Sequence, residues 1–243
     1  MFEQKRRIYS LTFKSIAALI VLAGIIHNMI DPWGSSEGLY GIAVFMYYTL
    51  LSNALVLGVF VALIVRDINI LIKLKKNIEV QIPKRCLLYV IQAGTVVSIM
   101  LTFLVFWGLL APPVFMGDDV ISLLYFNNLS THLLAAIFMT VDYFVFTPRG
   151  HLKFNDIWWF TIFPIFYLVF ATIGGFAGVV YRIHADGYAV RFPYGFMDYD
   201  RTGWLVIPWF IGIAVVFIGM SLLIYWLDKR LNKIEEINKQ SIS

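Results

Sequence analysis

The sequence predicts an all-α membrane protein whose chain crosses the bilayer as six helices. Of its 243 residues, 60% are hydrophobic and only 14% are charged, and the mean hydropathy is +0.79. These values exclude a soluble globular protein. A spanning helix needs about 20 mostly apolar residues. Six segments meet this requirement and form a single transmembrane domain over residues 1–243, with helices near 11–30, 41–65, 86–110, 120–146, 155–181 and 203–227.

The distribution of Lys and Arg predicts that both termini are cytoplasmic. Sixteen of the 19 basic residues lie near the termini or in the connections after the second and fourth helices, and only Arg182, Arg191 and Arg201 lie on the other side. Because cytoplasmic loops carry an excess of Lys and Arg, we expect a multi-pass protein of the cell membrane. The asymmetry also explains the net charge of +4 through contact with anionic lipid. Nucleic acid is not an expected partner.

The first predicted helix is a plain apolar span, whereas the second contains a cluster of polar residues. The first segment is too long, and too weakly flanked by small residues, for a cleaved signal peptide, so it is retained as a helix. The second contains the stretch YYTLLSNAL at 47–55, in which Thr49, Ser52 and Asn53 stand at i, i+3 and i+4 on one helix face. Polar side chains in a bilayer cost free energy unless they are satisfied, so this cluster points to a specific role.

The basic connection after the second helix, residues 66–85, has two open interpretations. It is either an amphipathic stretch that lies along the lipid headgroups or a solvated loop.

The third and fourth helices add two further polar stripes. The third carries Gln92, Thr95, Ser98 and Thr102 at helical spacing. The fourth contains FNNLSTHLL at 126–134, in which Asn128 and His132 share a face. At about 1.5 Å per residue, the predicted helices place Thr49 about 14 Å and His132 about 18 Å below their outer ends. We therefore expect a shared polar cavity deep in the bundle, lined also by Gln92, Thr95 and Ser98.

The last two helices and the segment between them carry no comparable stripe. Gly174 and Gly178 in the fifth helix form a small-xxx-small pair, which predicts close packing against a neighbouring helix. The Gly, Pro and aromatic content of residues 182–203 predicts an ordered hairpin or cap rather than a linker.

The polar stripes allow a catalytic and a structural interpretation. A buried Thr beside a His has the minimum parts for acyl transfer, and Asn53 or Asn128 could donate to a developing oxyanion. In the alternative, Thr and Ser bond the carbonyls of their own helix and Asn ties helices together. Asp142 lies about 15 Å along the helix from His132, so we expect it to anchor the helix end or pair with a basic loop residue.

No metal or cofactor is expected from the sequence. It contains no HExxH, CxxC, phosphate-binding loop or glycine-rich dinucleotide loop. Bis-histidine haem ligation needs two His at matched depth, and His27 lies too close to the outer end of its helix to match His132.

Three segments of the sequence resemble one known family. YYTLLSNAL is similar to a Tyr-Phe-Thr-x-x-Ser-Asn-Leu-Leu motif, THLLAAIFMTVDYFVF resembles a His-x₉-Asp helix, and FPYGFMDYD resembles an aromatic-proline segment before the last helix. These are features of the androgen-induced-gene-1/FAR-17a-like family, whose bacterial members are often labelled Pr6Pr membrane proteins. The resemblance implies an integral-membrane threonine hydrolase that cleaves fatty acid esters of hydroxy fatty acids. By motif, its Thr and His correspond to Thr49 and His132.

Together these observations favour an intramembrane hydrolase that acts on a lipid ester without a cofactor. The substrate would bind between the second, third and fourth helices, where Thr49 attacks the ester and His132 acts as its base. Asn53, with Asn128 as second choice, would stabilise the oxyanion, and Ser52 would position Thr49. One alternative is a non-catalytic lipid- or small-molecule-binding protein or carrier. Another is a structural subunit whose polar stripes face a partner chain.

Overall fold

The chain folds into a bundle of six long helices. The structure is a computed structural model that describes residues 2–31, 39, 41–117, 120–184 and 187–240. Within these ranges six helices are long and apolar enough to cross a membrane. The predicted all-α class and the six apolar helices are confirmed, and the helices are α1 (Phe2–Ile30), α2 (Tyr48–Lys75), α3 (Leu87–Phe115), α4 (Phe126–Phe146), α5 (Asp156–Phe176) and α6 (Val206–Gln240).

The two ends of the bundle are distinct. At one end, which we call the terminal end, the start of α1 meets the end of α4 through a bond from Arg6 Nη2 to the Val145 carbonyl. The end of α6 lies there too, because Asp228 accepts from the Gly150 amide at 2.9 Å. The opposite hairpin end carries two short antiparallel strands, β1 (Arg182–Ile183) and β2 (Ala189–Val190). The hairpin predicted for this connection is therefore present.

Three helices extend beyond their predicted spans at the terminal end. Helix α1 begins at Phe2, α2 continues to Lys75 and α6 continues to Gln240. Hydropathy locates only the apolar part of a helix, whereas Lys, Arg and Glu are strong helix formers that continue it. The basic connection is consequently half helical: residues 66–75 extend α2, and residues 76–85 return without regular structure.

Two helices start later than predicted at the hairpin end. Residues Gly41–Met46 and Val120–Leu124 form 3₁₀ turns, and Tyr47 and Tyr125 then adopt extended backbone conformations before α2 and α4 begin. Thr49 therefore lies in the first turn of α2. The predicted depths of Thr49 and His132 are wrong, because an uninterrupted apolar sequence does not reveal where a 3₁₀ turn ends and a helix restarts.

The core lies among the first four helices. Helix α1 packs on α2 and α4, and α3 packs on α2, α4, α5 and α6. Fully buried apolar side chains from these helices fill the centre, including Val21, Phe60, Val97 and Met139.

Glycines in and after α5 allow close approach at the hairpin end. A Cβ atom on Gly175 would overlap the ring of Phe192, so the connection after β2 lies directly on α5 there. A Cβ on Gly174 would lie 3.3 Å from the Met46 methyl group. Gly178 instead follows the helix with a φ of +90° and faces no neighbour. The predicted packing role is thus wrong for Gly178, which adopts a turn conformation that favours glycine.

Four buried charged side chains form what we call the ionic cluster at the terminal end. Asp67 in α2 contacts Arg7 Nη1 and Lys14 Nζ of α1, each at 2.9 Å, and accepts a bond from the Ser10 hydroxyl at 2.7 Å. Lys14 also contacts Asp142 of α4 at 3.2 Å. Asp142 was expected to anchor its helix end or pair with a loop residue, and its partner is instead a lysine within α1.

Candidate functional site

The structure brings Thr49 and His132 together. Thr49 Oγ1 lies 3.3 Å from His132 Nε2, although the two residues are 83 positions apart in sequence. Thr49 is only 8% exposed, and His132 is partly buried. A hydroxyl and an imidazole at this distance can exchange a proton with little movement, because hydrogen bonds in unliganded sites are often long. The two side chains are thus in contact, and their catalytic use stays a prediction.

His132 lies in a wide turn of α4. Residues Ser130–Leu134 adopt π-helical geometry, in which the amide of Ala135 donates to the carbonyl five residues earlier. Such a turn leaves nearby carbonyl oxygens open to other donors and is frequent at functional sites. Gly24 of α1 faces the bulge, and a Cβ atom there would overlap the Ser130 hydroxyl.

The backbone of α4 orients the imidazole. His132 Nδ1 lies 3.2 Å from the Asn128 carbonyl oxygen. A carbonyl oxygen can only accept, so this contact favours the proton on Nδ1 and leaves the Nε2 lone pair facing Thr49. The carbonyl therefore takes the orienting position that a carboxylate holds in a catalytic triad. Asp142 cannot take this position, because it belongs to the ionic cluster.

Helix α3 has a second wide turn, which packs against the first. Residues Phe106–Leu110 are also π-helical. The Phe106 ring stacks on the His132 imidazole with centroids 3.8 Å apart and an interplanar angle of 24°. The Trp107 indole donates to the His132 carbonyl at 3.2 Å. Hydropathy gives no signal for either turn, so sequence reasoning missed Phe106 and Trp107.

Asn53 is not available to an oxyanion. Both hydrogens of its side-chain amide are used, because Nδ2 donates to the Thr49 carbonyl at 2.8 Å and to the Thr131 carbonyl at 3.0 Å. The second bond satisfies a carbonyl at the wide turn of α4. The oxyanion role predicted for Asn53 is wrong, and the side chain instead ties α2 to α4 beside the site.

Asn128 and Ser52 also act through the backbone. The Asn128 side chain donates one of its two amide hydrogens to the Leu123 carbonyl at 2.9 Å, and its role as an oxyanion donor stays a prediction. The Ser52 hydroxyl donates to the Thr49 carbonyl at 2.9 Å and lies 2.8 Å from Thr102 Oγ1 of α3. Ser52 therefore holds the first turn of α2 against α3, and its role in positioning a catalytic Thr49 stays a prediction.

A cavity of about 360 Å³ opens beside Thr49. Its wall consists of residues from α2, α3, α5, α6 and the connection before α6, and most of them are apolar, such as Leu101, Phe106, Leu168 and Phe217. Helix α4 contributes no residue to this wall in the described part of the chain. The predicted cavity between the second, third and fourth helices is thus misplaced, and His132 contacts Thr49 from outside the cavity wall.

The residues predicted to line the cavity lie elsewhere. Gln92 donates to Asp142 at 2.8 Å and accepts from Thr147, so it belongs to the terminal end. Thr95 and Ser98 line a second cavity of about 640 Å³ between α2, α3 and α5. Of the polar stripe on α3, only Thr102 lines the cavity beside Thr49. The helical spacing places these residues on one face but does not show which cavity each one meets.

Tyr194 is a site residue that sequence reasoning missed. It belongs to the FPYGFMDYD segment and lines the cavity together with Thr49. Its phenol contacts the Thr49 hydroxyl, the amides at the start of α2 and the Tyr167 hydroxyl. Burial raises the pKa of Tyr194, although the contacts with Thr49 and Tyr167 oppose this shift. The phenol therefore stays protonated at neutral pH and can donate a hydrogen bond.

The start of α2 adds backbone donors at the same place. The first amides of a helix have no partner within it, and no side chain of the Tyr47 cap bonds them. The Tyr194 phenol lies against the amides of Tyr48 and Thr49. The Tyr194 phenol and the first amides of α2 thus lie together beside Thr49, and Tyr194 lines the cavity with it.

Within the described residues, no group of three or more His, Cys, Asp or Glu side chains is placed to hold a metal ion.

No protein-family model, curated protein or solved structure matches this chain. The family resemblance drawn from its short motifs therefore stays a prediction, and the geometry of the site supplies the functional argument.

Proposed function

We propose that this multi-pass membrane protein is a lipid-ester hydrolase with Thr49 as nucleophile and His132 as its base. The observation that carries the proposal is the 3.3 Å contact between Thr49 Oγ1 and His132 Nε2 beside an apolar cavity. A hydroxyl becomes a useful nucleophile when an adjacent base takes its proton. A neutral His whose other nitrogen is bound to a carbonyl suits that role.

The reaction follows from this arrangement in two halves. In the first, Thr49 Oγ1 bonds to the ester carbonyl carbon while His132 Nε2 takes the hydroxyl proton. The bond to the leaving oxygen then breaks, and His132 returns the proton to the released alcohol. In the second half, His132 takes a proton from water, whose oxygen attacks the acyl-threonine. The free acid leaves as Thr49 regains its proton.

The oxyanion would form near the start of α2. The amide of Thr49 and the protonated phenol of Tyr194 are donors that lie beside the nucleophile. Donors fixed in advance at the developing charge are a large source of rate enhancement. Tyr194 and a backbone amide thus replace Asn53 in this role.

The cavity supports an acyl chain as the group next to the ester. Its volume of about 360 Å³ lies within the usual range for small-molecule pockets, roughly 300–1,000 Å³. Each buried methylene contributes about 0.8 kcal/mol. An ester with a long apolar chain would therefore bind with its carbonyl at Thr49 and its chain among Leu101, Leu168 and Phe217.

The direct test is covalent labelling of the purified protein with a fluorophosphonate probe. We expect the wild type to be labelled, and the rate to fall by about 10²–10⁴ in His132→Ala, the usual contribution of a general base. Thr49→Ala should lose labelling entirely, and a labelled peptide containing residue 49 would identify the nucleophile.

Thr95→Ala is a matched control. Thr95 is also a buried helix threonine, but it bonds the Ile91 carbonyl and lines the other cavity. This variant should be labelled like the wild type, with helix content and elution volume confirming that all variants fold. An unlabelled wild type, or a Thr49→Ala variant labelled at the normal rate, would refute the proposal.

A second candidate function is lipid binding without chemistry. It is favoured by the cavity wall, which is largely apolar and does not include His132. In that case an ester should raise the melting temperature equally in the wild type and in Thr49→Ala, with no acid released from either. The structural-subunit alternative has less support, because Ser52, Asn53 and Ser98 are buried within this chain.

A further inference from the structure

We propose that a groove at the terminal end binds the phosphate headgroup of an anionic lipid. The groove has a volume of about 340 Å³ and lies between the last turns of α2 and the returning residues 80–83. Its polar wall consists of Arg66, Asn69 and Lys73 from α2 and Gln81 from the return. This site is separate from Thr49, which lies at the other end of the same helix.

The basic residues of the groove are arranged along one helix face. Arg66, Asn69 and Lys73 stand at i, i+3 and i+7, so they share a face. They span about 10 Å along the axis, at 1.5 Å per residue. That length accommodates a phosphate and the glycerol that it carries. The amides of Asn69 and Gln81 supply hydrogen bonds for hydroxyl groups beside the phosphate.

The two cations of the groove have no acidic partner in the described chain. Neither Arg66 nor Lys73 forms a salt bridge among the described residues, and no Asp or Glu belongs to the groove wall. The Arg66 guanidinium instead lies over the ring of Tyr89, with Cζ 4.2 Å from the centroid. Its Nη2 atom is buried without a hydrogen-bond partner. The Arg66 side chain as a whole is partly exposed and lines the groove, so its other donors are placed to meet a phosphate.

The apolar part of the groove identifies the ligand as a lipid. Ala62 and Val65 line the groove one turn further into the apolar part of α2. Val65 is 52% exposed, and Ile68, outside the groove on the same stretch of helix, is 41% exposed. An acyl chain can therefore continue from the headgroup along α2. Basic pockets between membrane helices are suited to such headgroups.

Native mass spectrometry of the full chain in neutral detergent tests the proposal. The delipidated protein is given equal amounts of dioleoylphosphatidylglycerol and dioleoylphosphatidylcholine. We expect preferential binding of the phosphatidylglycerol, and a loss of about fivefold in its affinity in Arg66→Gln and in Lys73→Gln, the scale of one basic residue near an anionic surface. Lys73→Gln keeps the test decisive if Arg66→Gln perturbs the packing on Tyr89.

Lys75→Gln is the matched control. It removes the same charge as Lys73→Gln two residues away, and Lys75 does not line the groove. It should bind phosphatidylglycerol like the wild type. Equal affinity of the wild type for both lipids would overturn the proposal, and so would an equal loss in Lys75→Gln, which would indicate diffuse charge attraction. Displacement of the lipid by an equal concentration of glycerol 3-phosphate would also overturn it, by assigning the site to a soluble phosphate.

Discussion

Two buried polar regions, about 15 Å apart along α4, differ in how their hydrogen bonds are completed. In the ionic cluster, two acids and two bases contact one another at 2.9–3.2 Å, and Ser10 and Gln92 complete the set. At the Thr49 site the contacts of the imidazole are longer, at 3.2–3.3 Å. The side-chain oxygens of Asn53 and Asn128 are buried there without a hydrogen-bond partner, whereas Asp142 Oδ1, which also accepts no hydrogen bond, lies 3.2 Å from the Lys14 ammonium.

The difference separates a structural region from a candidate site. Buried charged groups need partners of opposite charge, and those of the ionic cluster pair with one another. None of them lines the cavity beside Thr49. Buried polar atoms without partners are rare in folded proteins and call for an explanation. At the Thr49 site two amide oxygens keep unused hydrogen-bonding capacity, and Thr49 itself lines an apolar cavity, although neither amide does.

The largest effect is expected from breaking the ionic cluster. Among the described residues, Lys14→Met leaves Asp67 with one cation and Asp142 with none, so the free energy of unfolding should fall by about 3–5 kcal/mol. Denaturation of the purified protein in detergent measures this change. Adding Asp142→Asn to the same chain should recover part of the loss, because it removes the carboxylate that has lost its only cation.

Lys84→Met provides the comparison for this variant. Lys84 and Glu236 are exposed and 3.6 Å apart, so their pair should contribute only about 0–1 kcal/mol. If Lys14→Met were no more destabilising than Lys84→Met, the ionic cluster would not be the structural region that we infer.

A change at Tyr194 should slow labelling and leave the free energy of unfolding nearly unchanged. Tyr194→Phe removes the phenol beside Thr49 and keeps the ring, so we expect fluorophosphonate labelling to slow about tenfold, the loss of one hydrogen bond to a charged group. The free energy of unfolding should change by less than about 1 kcal/mol.

The matched control for Tyr194 is Tyr199→Phe, a tyrosine a few residues later whose ring packs between Phe192 and Phe210. Its labelling rate should equal that of the wild type. Equal rates in Tyr194→Phe and the wild type would remove Tyr194 from the oxyanion site.

The smallest effect is expected from the contact that supports the wide turn. Trp107→Phe removes the donor to the His132 carbonyl, and a typical net hydrogen bond of about 1 kcal/mol corresponds to a labelling rate about fivefold lower. Trp204→Phe is the control, since Trp204 is 81% exposed. A loss of stability in Trp107→Phe with unchanged labelling would assign the wide turn to structure alone.

Much of the arrangement could be predicted because membrane helices obey simple local rules. A run of apolar residues predicts a span, and a spacing of three or four predicts a shared face. These rules led to six helices and to the choice of Thr49 and His132, although the depths used to match the two residues are wrong. They also predicted, as the structural alternative, that an Asn in such a stripe would tie helices together, which is what Asn53 does.

The remaining features depend on which neighbour each face meets. Local sequence does not report whether an amide donor will find a carbonyl on the facing helix, so Asn53 was assigned to an oxyanion although both of its amide hydrogens are used. It also does not report the wide turns of α3 and α4, since the apolar pattern passes through both without interruption. Tyr194 lies 145 positions from Thr49, in a connection whose course over the bundle is set by packing such as that of Phe192 on Gly175.

The sequence by itself determined the class of the protein, its helices and the polar residues that merit attention, because hydropathy and helical periodicity act over a few turns of one helix. Only the tertiary structure decided which of those residues share a cavity, which carbonyl orients His132 and which donors face Thr49. Those outcomes follow from contacts between distant segments, where each buried donor takes the acceptor that the packed helices bring within reach.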